Sequence, residues 1–397
     1  MVAVSRPELG LSVEVIDSFA GLVALESDYE ALLGRTQQGL PFALHDWHVA
    51  WWSHLAKDTP NLRDALRVHV VRDVGGTCVG LVPLVATERA IAPLGAGLPA
   101  LHVRSLSLLG ADPYLTELRA PLVDPAWGAS VAWAVARALE DDGSWDWIHW
   151  SGIDHPASFG EALAVAQDLR WGEAAPDYVL DLAESWPALR ARCGRNVRES
   201  IRHGYNALAR EGRKLDFEVV QAKELVPGAV DVFLRLHGLR AALAGTVPHP
   251  HRFGFPAARA FLHDVVARFA RRGRACVFLL RVDGEVVAAR LGFVVGRSLY
   301  LYYSGFDPAF ARYGVMTTTV VEAIKWAIDR GLASVNLSAG RDVSKTRWGA
   351  REVRYAEAIA ARPRLSSRAA LGAFQRASTL PAAAAALSAL LPKRAWT

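Results

Sequence analysis

Apolar and polar positions alternate over residues 11–16 (LSVEVI), which predicts a strand, and the stretch from Phe19 to Leu33 predicts a helix. Residues 41–56, PFALHDWHVAWWSHLA, bring Trp47, Trp51 and Trp52 together at helical spacing, most simply as an aromatic core stripe. Two apolar runs in 65–85 flank Asp73 to Gly76, a hairpin signal. LHVRSLSLLG continues as a strand, ASVAWAVARALEDDG as an amphipathic helix, and WDWIHWSG at 145–152 as a buried strand.

The second half repeats this order. Residues 275–295 carry another hairpin pattern around Asp283 and Gly284, followed by a strand at 297–305, a helix at 316–330 and a strand at 332–340. The repeat lies in pattern rather than identity, with Gly76 against Gly284 and Trp147 against Val335, and predicts one α/β unit occurring twice in tandem. A chain of 397 residues suits two domains, since it exceeds what one ordinary core holds. Between the copies, 189–214 reads as one long basic helix. Val197, Ile201, Tyr205 and Leu208 form its buried stripe, while Arg195, Arg198 and Arg202 share another face, either a solvated one or an anion-facing edge beside a cleft. The boundary falls near 185, at AESWP, giving an N-terminal domain over 1–184, a C-terminal domain over 185–362 and an Ala- and Arg-rich tail over 363–397.

Composition sets the class: 52% hydrophobic and 21% charged residues are those of a globular enzyme or binding protein. The net charge of +5 indicates a mildly basic surface that favours an anionic partner without choosing among cofactor phosphate, nucleic acid and acidic membrane. Cys78, Cys193 and Cys276 lie far apart and are odd in number, so neither a disulfide framework nor a zinc site is signalled, and a reducing cytoplasm fits best. The N-terminus lacks the pattern of a secretory signal, and no apolar run approaches the roughly 20 residues that span a bilayer. The segment 382–391, AAAAALSALL, is too short to cross and is left to lie on a membrane or to pack on the domain, so peripheral membrane contact is one expectation for the tail.

No Ser-His-Asp order, HExxH, Walker loop or GxGxxG is convincing, which disfavours hydrolases and nucleotide kinases. What remains specific is an order of elements: a DG hairpin, a Tyr-rich strand, the loop SGFDP, a helix, a strand and SAGRDVSKTRWG. That order, with GRNVRES opening the basic helix, resembles the second domain of GNAT-superfamily acyltransferases of the CelD/BcsL type, relatives of the Fem-type aminoacyl transferases. The resemblance is most specific over about 190–355, in VFLLRVDGEVVAARLGF, YLYYSGFDPAFARY, VVEAIKWAIDRGLASVNLSAG and SKTRWG. The first half, with GTCVGLVPL and WDWIHW, is similar to the family's degenerate first copy. The implied fold is a mixed-sheet α/β protein of two tandem GNAT-like domains, the first degenerate.

The resemblance implies an acyl donor held between two splayed parallel strands, 298–304 and 333–338. Unpaired backbone there bonds the donor arm like an added strand, a backbone N–H polarises the thioester carbonyl, and the next helix points its N-terminus at the pyrophosphate. Donor-binding residues would be Tyr303, Arg312, Tyr313, Gly314, Val315, Met316 and Thr317. Where the family usually opens its helix with small residues, this chain keeps one glycine and has Met316, with Thr317, Thr318 and Thr319 as alternative hydroxyl donors. Where the family pattern reads Tyr-Lys, this chain reads Ser344-Lys345, which leaves Lys345, or no residue, as acid for the leaving thiolate. Asp307 is either a base for the amine or a turn residue before Pro308. His237 and Arg240, on one helical face, resemble the family's substrate-side His and Arg, with a structural pair as the other reading. Catalytic residues are then Asp307, Lys345 and His237, and substrate residues Arg240, His249, Tyr302 and Ser344. His249 and His251 lack a third ligand of fitting spacing, so their loop is a lid or substrate loop, and no metal is expected. Strand alternation puts Tyr300 and Tyr302 on one face and Tyr303 on the other.

The expected activity is N-acyl transfer from acyl-CoA or an acyl carrier protein to an amine. Candidate acceptors are a lipid-like amine such as a sphingoid base, taking a long acyl chain, and an amino sugar of an envelope polysaccharide. One rival is an aminoacyl-tRNA-dependent Fem-like transferase, disfavoured because the basic helix lacks interleaved aromatics and nucleic acid is therefore an unlikely partner. Another is a non-catalytic scaffold of an envelope or lipid assembly, motivated by the departures at Met316 and Ser344.

Overall fold

The computed structural model describes residues 10–91, 101–112, 114–154, 157–173, 176–243 and 249–379. The chain begins with β1 (Ser12–Ile16), α1 (Phe19–Ala24), α2 (Glu26–Leu33), α3 (His45–Leu55), β2 (Asp58–Thr59), β3 (Leu62–Arg72), β4 (Cys78–Ile91) and β5 (Leu101–Leu108). Next come β6 (Leu122–Val123), α4 (Gly128–Asp141), β7 (Trp147–Ile153), α5 (Ser158–Ala166), β8 (Gly172–Glu173) and β9 (Asp177–Asp181). The second half has α6 (Trp186–Arg192), α7 (Arg195–Arg210), β10 (Leu215–Val220), α8 (Val226–Ala241), α9 (Pro256–Arg271), β11 (Ala275–Val282), β12 (Glu285–Val295) and β13 (Ser298–Phe306). It ends with α10 (Val315–Asp329), β14 (Ser334–Ala339), α11 (Val343–Thr346), β15 (Arg351–Val353), β16 (Ala356–Ala361) and α12 (Leu365–Thr379).

Two units result, each with its own mixed sheet. In the first, the strand order is β1-β3-β4-β5-β7-β16-β8, with β2 beside β3 and β6 beside β4; in the second it is β10-β11-β12-β13-β14-β9-β15. One neighbouring pair in each path is parallel, β5–β7 and β13–β14, and the rest are antiparallel. The duplication expected from the pattern is therefore a duplication of topology. Pairing carries 177–181 into the second sheet and 356–361 into the first, so strands beside the expected boundaries at 184/185 and 362/363 sit in the other copy's sheet.

Local chemistry accounts for the elements. The β3–β4 hairpin turns on Gly76 at φ 80°, with Asp73 Oδ1 accepting from the Gly75 and Thr77 amides at 2.9 Å each. The β11–β12 hairpin uses Asp283 and Gly284 at φ 53° and 87°, the left-handed pair that a two-residue hairpin loop requires. Helix α10 buries Val321, Ala323, Ile324 and Ala327 in a core with Leu299, Leu301 and Val335 of the sheet, and α4 buries Val131, Val135 and Leu139 against the other sheet. The tail begins as α12, whose Phe374 ring meets Trp147 of β7 at 5.1 Å. The apolar segment 382–391 lies outside the described residues, as do 246–248 of the loop at 246–256.

The single basic helix expected over 189–214 is broken. Ser185 caps α6 and Pro187 sits in its first turn; Cys193 and Gly194 then leave helical geometry with ψ of 144° and 158°, and α7 starts afresh. Val197, Ile201 and Leu208 form the buried stripe on α7. Part of the basic face is consumed locally: Arg198 donates to the Cys193 carbonyl at 3.1 Å and Arg195 pairs with Glu199 at 2.8 Å.

Candidate active site

The parallel ladder between β13 and β14 has three pairs, Ser298–Ser334, Leu299–Val335 and Tyr300–Asn336, and stops there although β13 continues to Phe306 and β14 to Ala339. Two local irregularities part the strands. In β14, Ser338 adopts φ 74°, and the pairing with β9 shifts between Asn336 and Ala339. Asn336 fixes that kink: its Oδ1 accepts from the Ser338 amide at 2.8 Å and its amide nitrogen donates to the fully buried Asp177. In β13, the register with β12 gains a residue between Leu301–Gly292 and Ser304–Arg290, a bulge at Tyr302 and Tyr303.

That bulge overturns the strict alternation expected for the tyrosines. Tyr302 and Tyr303 have ring centroids 4.5 Å apart; Tyr302 meets Phe293, which in turn meets Phe269 of α9, and Tyr303 meets His237 of α8. Both rings thus face the α8–α9 side. Tyr302 is buried and Tyr303 half-buried.

On that side α8 lies directly against β13. A β-carbon built on Gly305 would stand 2.2 Å from the His237 amide nitrogen, so only glycine permits the approach. His237 Nδ1–H donates to the Ser304 carbonyl at 3.0 Å, and Nε2 accepts from the Arg252 amide at 3.3 Å. Both ring nitrogens are engaged, and burial pushes its pKa down to about 4, opposed by the Ser304 bond. His237 is therefore a neutral tie between α8, β13 and the 249–255 loop. Arg240, one turn on, donates to Ser304 Oγ at 2.7 Å and lies over the Phe306 ring. His249 stands 6.5 Å from His237 between ring centroids, and burial, then Arg240, lower its pKa to about 4. Among the described residues no group of His, Cys, Asp or Glu is placed to hold a metal ion.

Beyond β14, Asp342 organises the α11 turn. It caps the helix by accepting from the Ser344 amide at 2.9 Å, accepts from the Ser344 hydroxyl, and pairs with Lys345 Nζ at 3.2 Å. Lys345 also donates to the carbonyl of Ala339, the last residue of β14. Burial raises the Asp342 pKa, but the Ser344 hydroxyl and the Lys345 charge more than offset it and hold the carboxyl below its usual range. Its charge acts on Arg240, His249 and Arg347, which ties the α11 turn to the α8 side.

At the start of α10, Gly314 takes φ 66° and ψ 31°, ends a short 3₁₀ helix from Pro308 to Tyr313, and opens α10. Beyond its own chain neighbours and helix backbone, no protein atom lies within 4 Å of where its β-carbon would be, so this corner is open. The Thr318 and Thr319 hydroxyls do not serve the helix mouth: both are buried and donate back to the Gly314 and Val315 carbonyls, at 3.5 and 2.8 Å. Thr317 Oγ1 faces outward and accepts from Arg347 at 2.8 Å. Arg312 and Tyr313 turn elsewhere, to Glu211, at 3.3 and 2.5 Å, and Tyr313 is buried beside Leu208, Leu280 and Val287. Val315 is buried and Met316 half-buried beside the same cluster. Asp307 caps the 3₁₀ helix by accepting from the Ala309 amide at 2.9 Å, the turn alternative.

The structure thus gathers His237, Arg240, His249, Tyr302 and Tyr303 on one side of the splay, Ser344 and Lys345 around Asp342, and Gly314 and Thr317 at the α10 mouth. The side chains of Asp307, Arg312 and Tyr313 make their hydrogen bonds to Ala309 and Glu211. Asp342, Arg347, Asn336 and Asp177 were missed in the sequence. The first two sit in the block SAGRDVSKTRWG, where only the Ser344-Lys345 pair carries a sequence signal, and the Asn336–Asp177 pair joins positions 159 apart in the chain.

Residues 195–347 match the model of the acetyltransferase (GNAT) domain. No curated protein matches the sequence. Among solved structures, the C-terminal domain (DUF2156) of a putative lysylphosphatidylglycerol synthetase from Agrobacterium fabrum is 16% identical at TM-score 0.53, covering 91% of this chain and 97% of its own. FemX is 10% identical at TM-score 0.57, over 84% and 95%. A tandem GNAT protein from the clavulanic acid pathway is 15% identical at TM-score 0.45, over 88% and 98%. Identities this low speak for fold alone; residues 195–347 are similar to a GNAT acetyltransferase domain, within a mixed α/β chain whose two sheets share one strand order.

Proposed function

We propose that the second unit is an N-acyltransferase of the CelD/BcsL type, taking its acyl group from acyl-CoA or an acyl carrier protein and passing it to an amine. The observation that carries this is the parallel ladder that ends at Tyr300–Asn336 beneath an open, glycine-started helix. Backbone groups freed along β13 would give the donor arm strand-like hydrogen bonds, an N–H near the Tyr302–Tyr303 bulge would polarise the thioester oxygen, and the first turn of α10 has N–H groups for phosphate. Arg347, bonded to Thr317, adds a cation at the same mouth.

The amine enters from the α8 side. Its attack forms the C–N bond and its proton passes to solvent through a carboxylate, for which Asp342 stands with the cluster; Asp342 and Asp307 each also cap a helix. The C–S bond then breaks, and the thiolate takes a proton by way of Lys345, whose side chain is 14% exposed. His237 positions the bulge. The reading keeps a lipid-like amine and an amino sugar as acceptors and puts the enzyme in the cytoplasm, with the tail as its membrane contact. Among the described residues no helix is long and apolar enough to cross a membrane.

A second reading, aminoacyl-tRNA as donor, draws support from the likeness to FemX. The test of both is release of free thiol from acetyl-CoA and palmitoyl-CoA with an amine panel, alongside thermal stability with each CoA species. Gly314→Asp puts a carboxylate into the open corner in a left-handed conformation Asp tolerates. CoA affinity is expected to fall more than tenfold while the protein stays folded. No stabilisation and no thiol release by wild type, with salt-sensitive binding of aminoacyl-tRNA instead, replaces the first reading by the second; neither result with either donor leaves the scaffold.

A further inference from the structure

Helix α7 runs past the opening of α10. A β-carbon on Gly204 would stand 2.6 Å from Thr318 Oγ1 and 3.4 Å from the Tyr313 carbonyl, which sets α7 directly against the first turn of α10. One residue earlier, His203 Nε2–H donates to the Arg312 carbonyl at 2.9 Å and ties the same turn of α7 to the 3₁₀ helix that ends at Gly314. Beside this junction a groove of about 490 Å³ follows α7, lined among the described residues by Glu199, Arg202, His203, Asn206, Ala209 and Arg210. Its charges do not balance. Glu199 is taken by Arg195 at 2.8 Å. Arg210 commits its Nε–H to the Asn206 carbonyl at 3.2 Å, and Arg202 makes no hydrogen bond or ion pair among the described residues. Arg312, nearest to the α10 mouth along the chain, is paired with Glu211 at 3.3 Å.

Resting on the acyl-transfer reading, we infer that this groove is the donor's nucleotide subsite, with the 3′-phosphate of CoA on Arg202 and Asn206, and that the donor is therefore free acyl-CoA instead of a carrier-bound thioester. Both donors bring the same phosphopantetheine arm, and only CoA brings a phosphorylated adenosine. Position and charge carry the assignment together. A pyrophosphate seated on the first turn of α10 has the ribose next to it, and Arg202 lies within one turn of the α7 residue that touches that corner. Arg202 and Asn206, four apart, project side by side from the helix, and the groove continues over Ala209 to Arg210, where the base has room. A phosphate monoester is close to a dianion near neutral pH and takes a guanidinium in two parallel hydrogen bonds. A carrier protein offers the groove no such phosphate.

The test compares CoA with 3′-dephospho-CoA, which differ by that one phosphate, in calorimetric binding to the full chain, so the result does not require turnover. CoA is expected to bind more than tenfold tighter, with a ratio that shrinks as salt rises. Arg202→Gln should bring the ratio close to one and leave dephospho-CoA affinity unchanged, since glutamine keeps the helix propensity of arginine. Should that variant fail to fold, Asn206→Ala takes its place and should lower the ratio severalfold. Gly314→Asp should weaken both forms, because it acts on the pyrophosphate they share. Equal binding of the two forms, or a ratio that survives both α7 substitutions, overturns the subsite and leaves acyl transfer standing. Tighter binding of a holo-acyl carrier protein than of CoA, lost with Arg202→Gln, would make α7 a carrier-docking face and overturns the nucleotide subsite. Binding of neither CoA form overturns the acyl-CoA reading itself, and the subsite with it.

Discussion

The two units share one strand order and differ at the place where the central parallel strands end. In the second unit that place is open: a β-carbon on Gly314 would meet nothing within 4 Å, and β13 and β14 part over their last residues. In the first unit it is filled by the unit's own chain. The β5–β7 ladder also has three pairs, but beyond it the Arg119 carbonyl lies where a β-carbon on Gly152 would be, 1.7 Å away. The start of α4 is covered likewise, since a β-carbon on Gly128 would stand 2.1 Å from Ser158 Oγ of α5. Asp112 shapes the filling loop by accepting from the Tyr114 and Thr116 amides, and Trp47 and Trp51 of α3 donate to Thr116 and Asp112 at 3.0 Å each. A cleft filled in this way satisfies its splayed backbone with protein, and its glycines serve packing.

The largest effect should come from removing the glycine that admits the plug. Gly152→Ala must displace a backbone carbonyl at φ 70°, and we expect a loss of roughly 4 kcal/mol in urea unfolding of the first unit, from overpacking plus left-handed strain. A loss near that of strain alone, about 1 kcal/mol, would mean the loop yields easily and the cleft is not firmly closed.

Acid should loosen the open unit next. His237 is neutral down to about pH 4 when folded, whereas the unfolded ring takes a proton below about 6.5. Its contribution is full above the unfolded value and is lost as pH falls from 6.5 toward 4, by about 3 kcal/mol at the lower end. Amide exchange in α8 and β13 followed against pH reads this directly, and His237→Asn should flatten the profile. An unchanged slope in the variant would assign the window to His249.

Much of this molecule was legible where the signal is local. Asp73–Gly76 and Asp283–Gly284 announced their hairpins, and the apolar period of α10 announced its buried face, because turn chemistry and helical spacing act within a few residues. The break at Cys193–Gly194 was also local and was overridden by the long periodic stripe around it. What the residues could not announce is pairing at a distance: the crossing of β9 and β16 into opposite sheets, the extra residue in β13 that turns Tyr303 toward His237, and the Asn336–Asp177 bond that kinks β14. Trp47 and Trp51 read as core stripe, and they are buried as such, but their indole N–H groups also hold the plug, a role set by a loop some 60 residues further on.

That dual role permits the gentlest test of the comparison. Trp51→Phe keeps an aromatic ring in the buried stripe and removes the donor to Asp112 Oδ2. Asp112 retains the Thr116 hydroxyl at 2.6 Å and the amides of Tyr114 and Thr116, so its carboxylate is not orphaned, and the expected cost is about 1 kcal/mol. If the first unit only closes on itself, this variant lowers its unfolding midpoint and leaves CoA affinity and acyl transfer as in wild type. A fall in either would show that the filled unit also contributes to binding or turnover, and its closure would then serve more than its own stability.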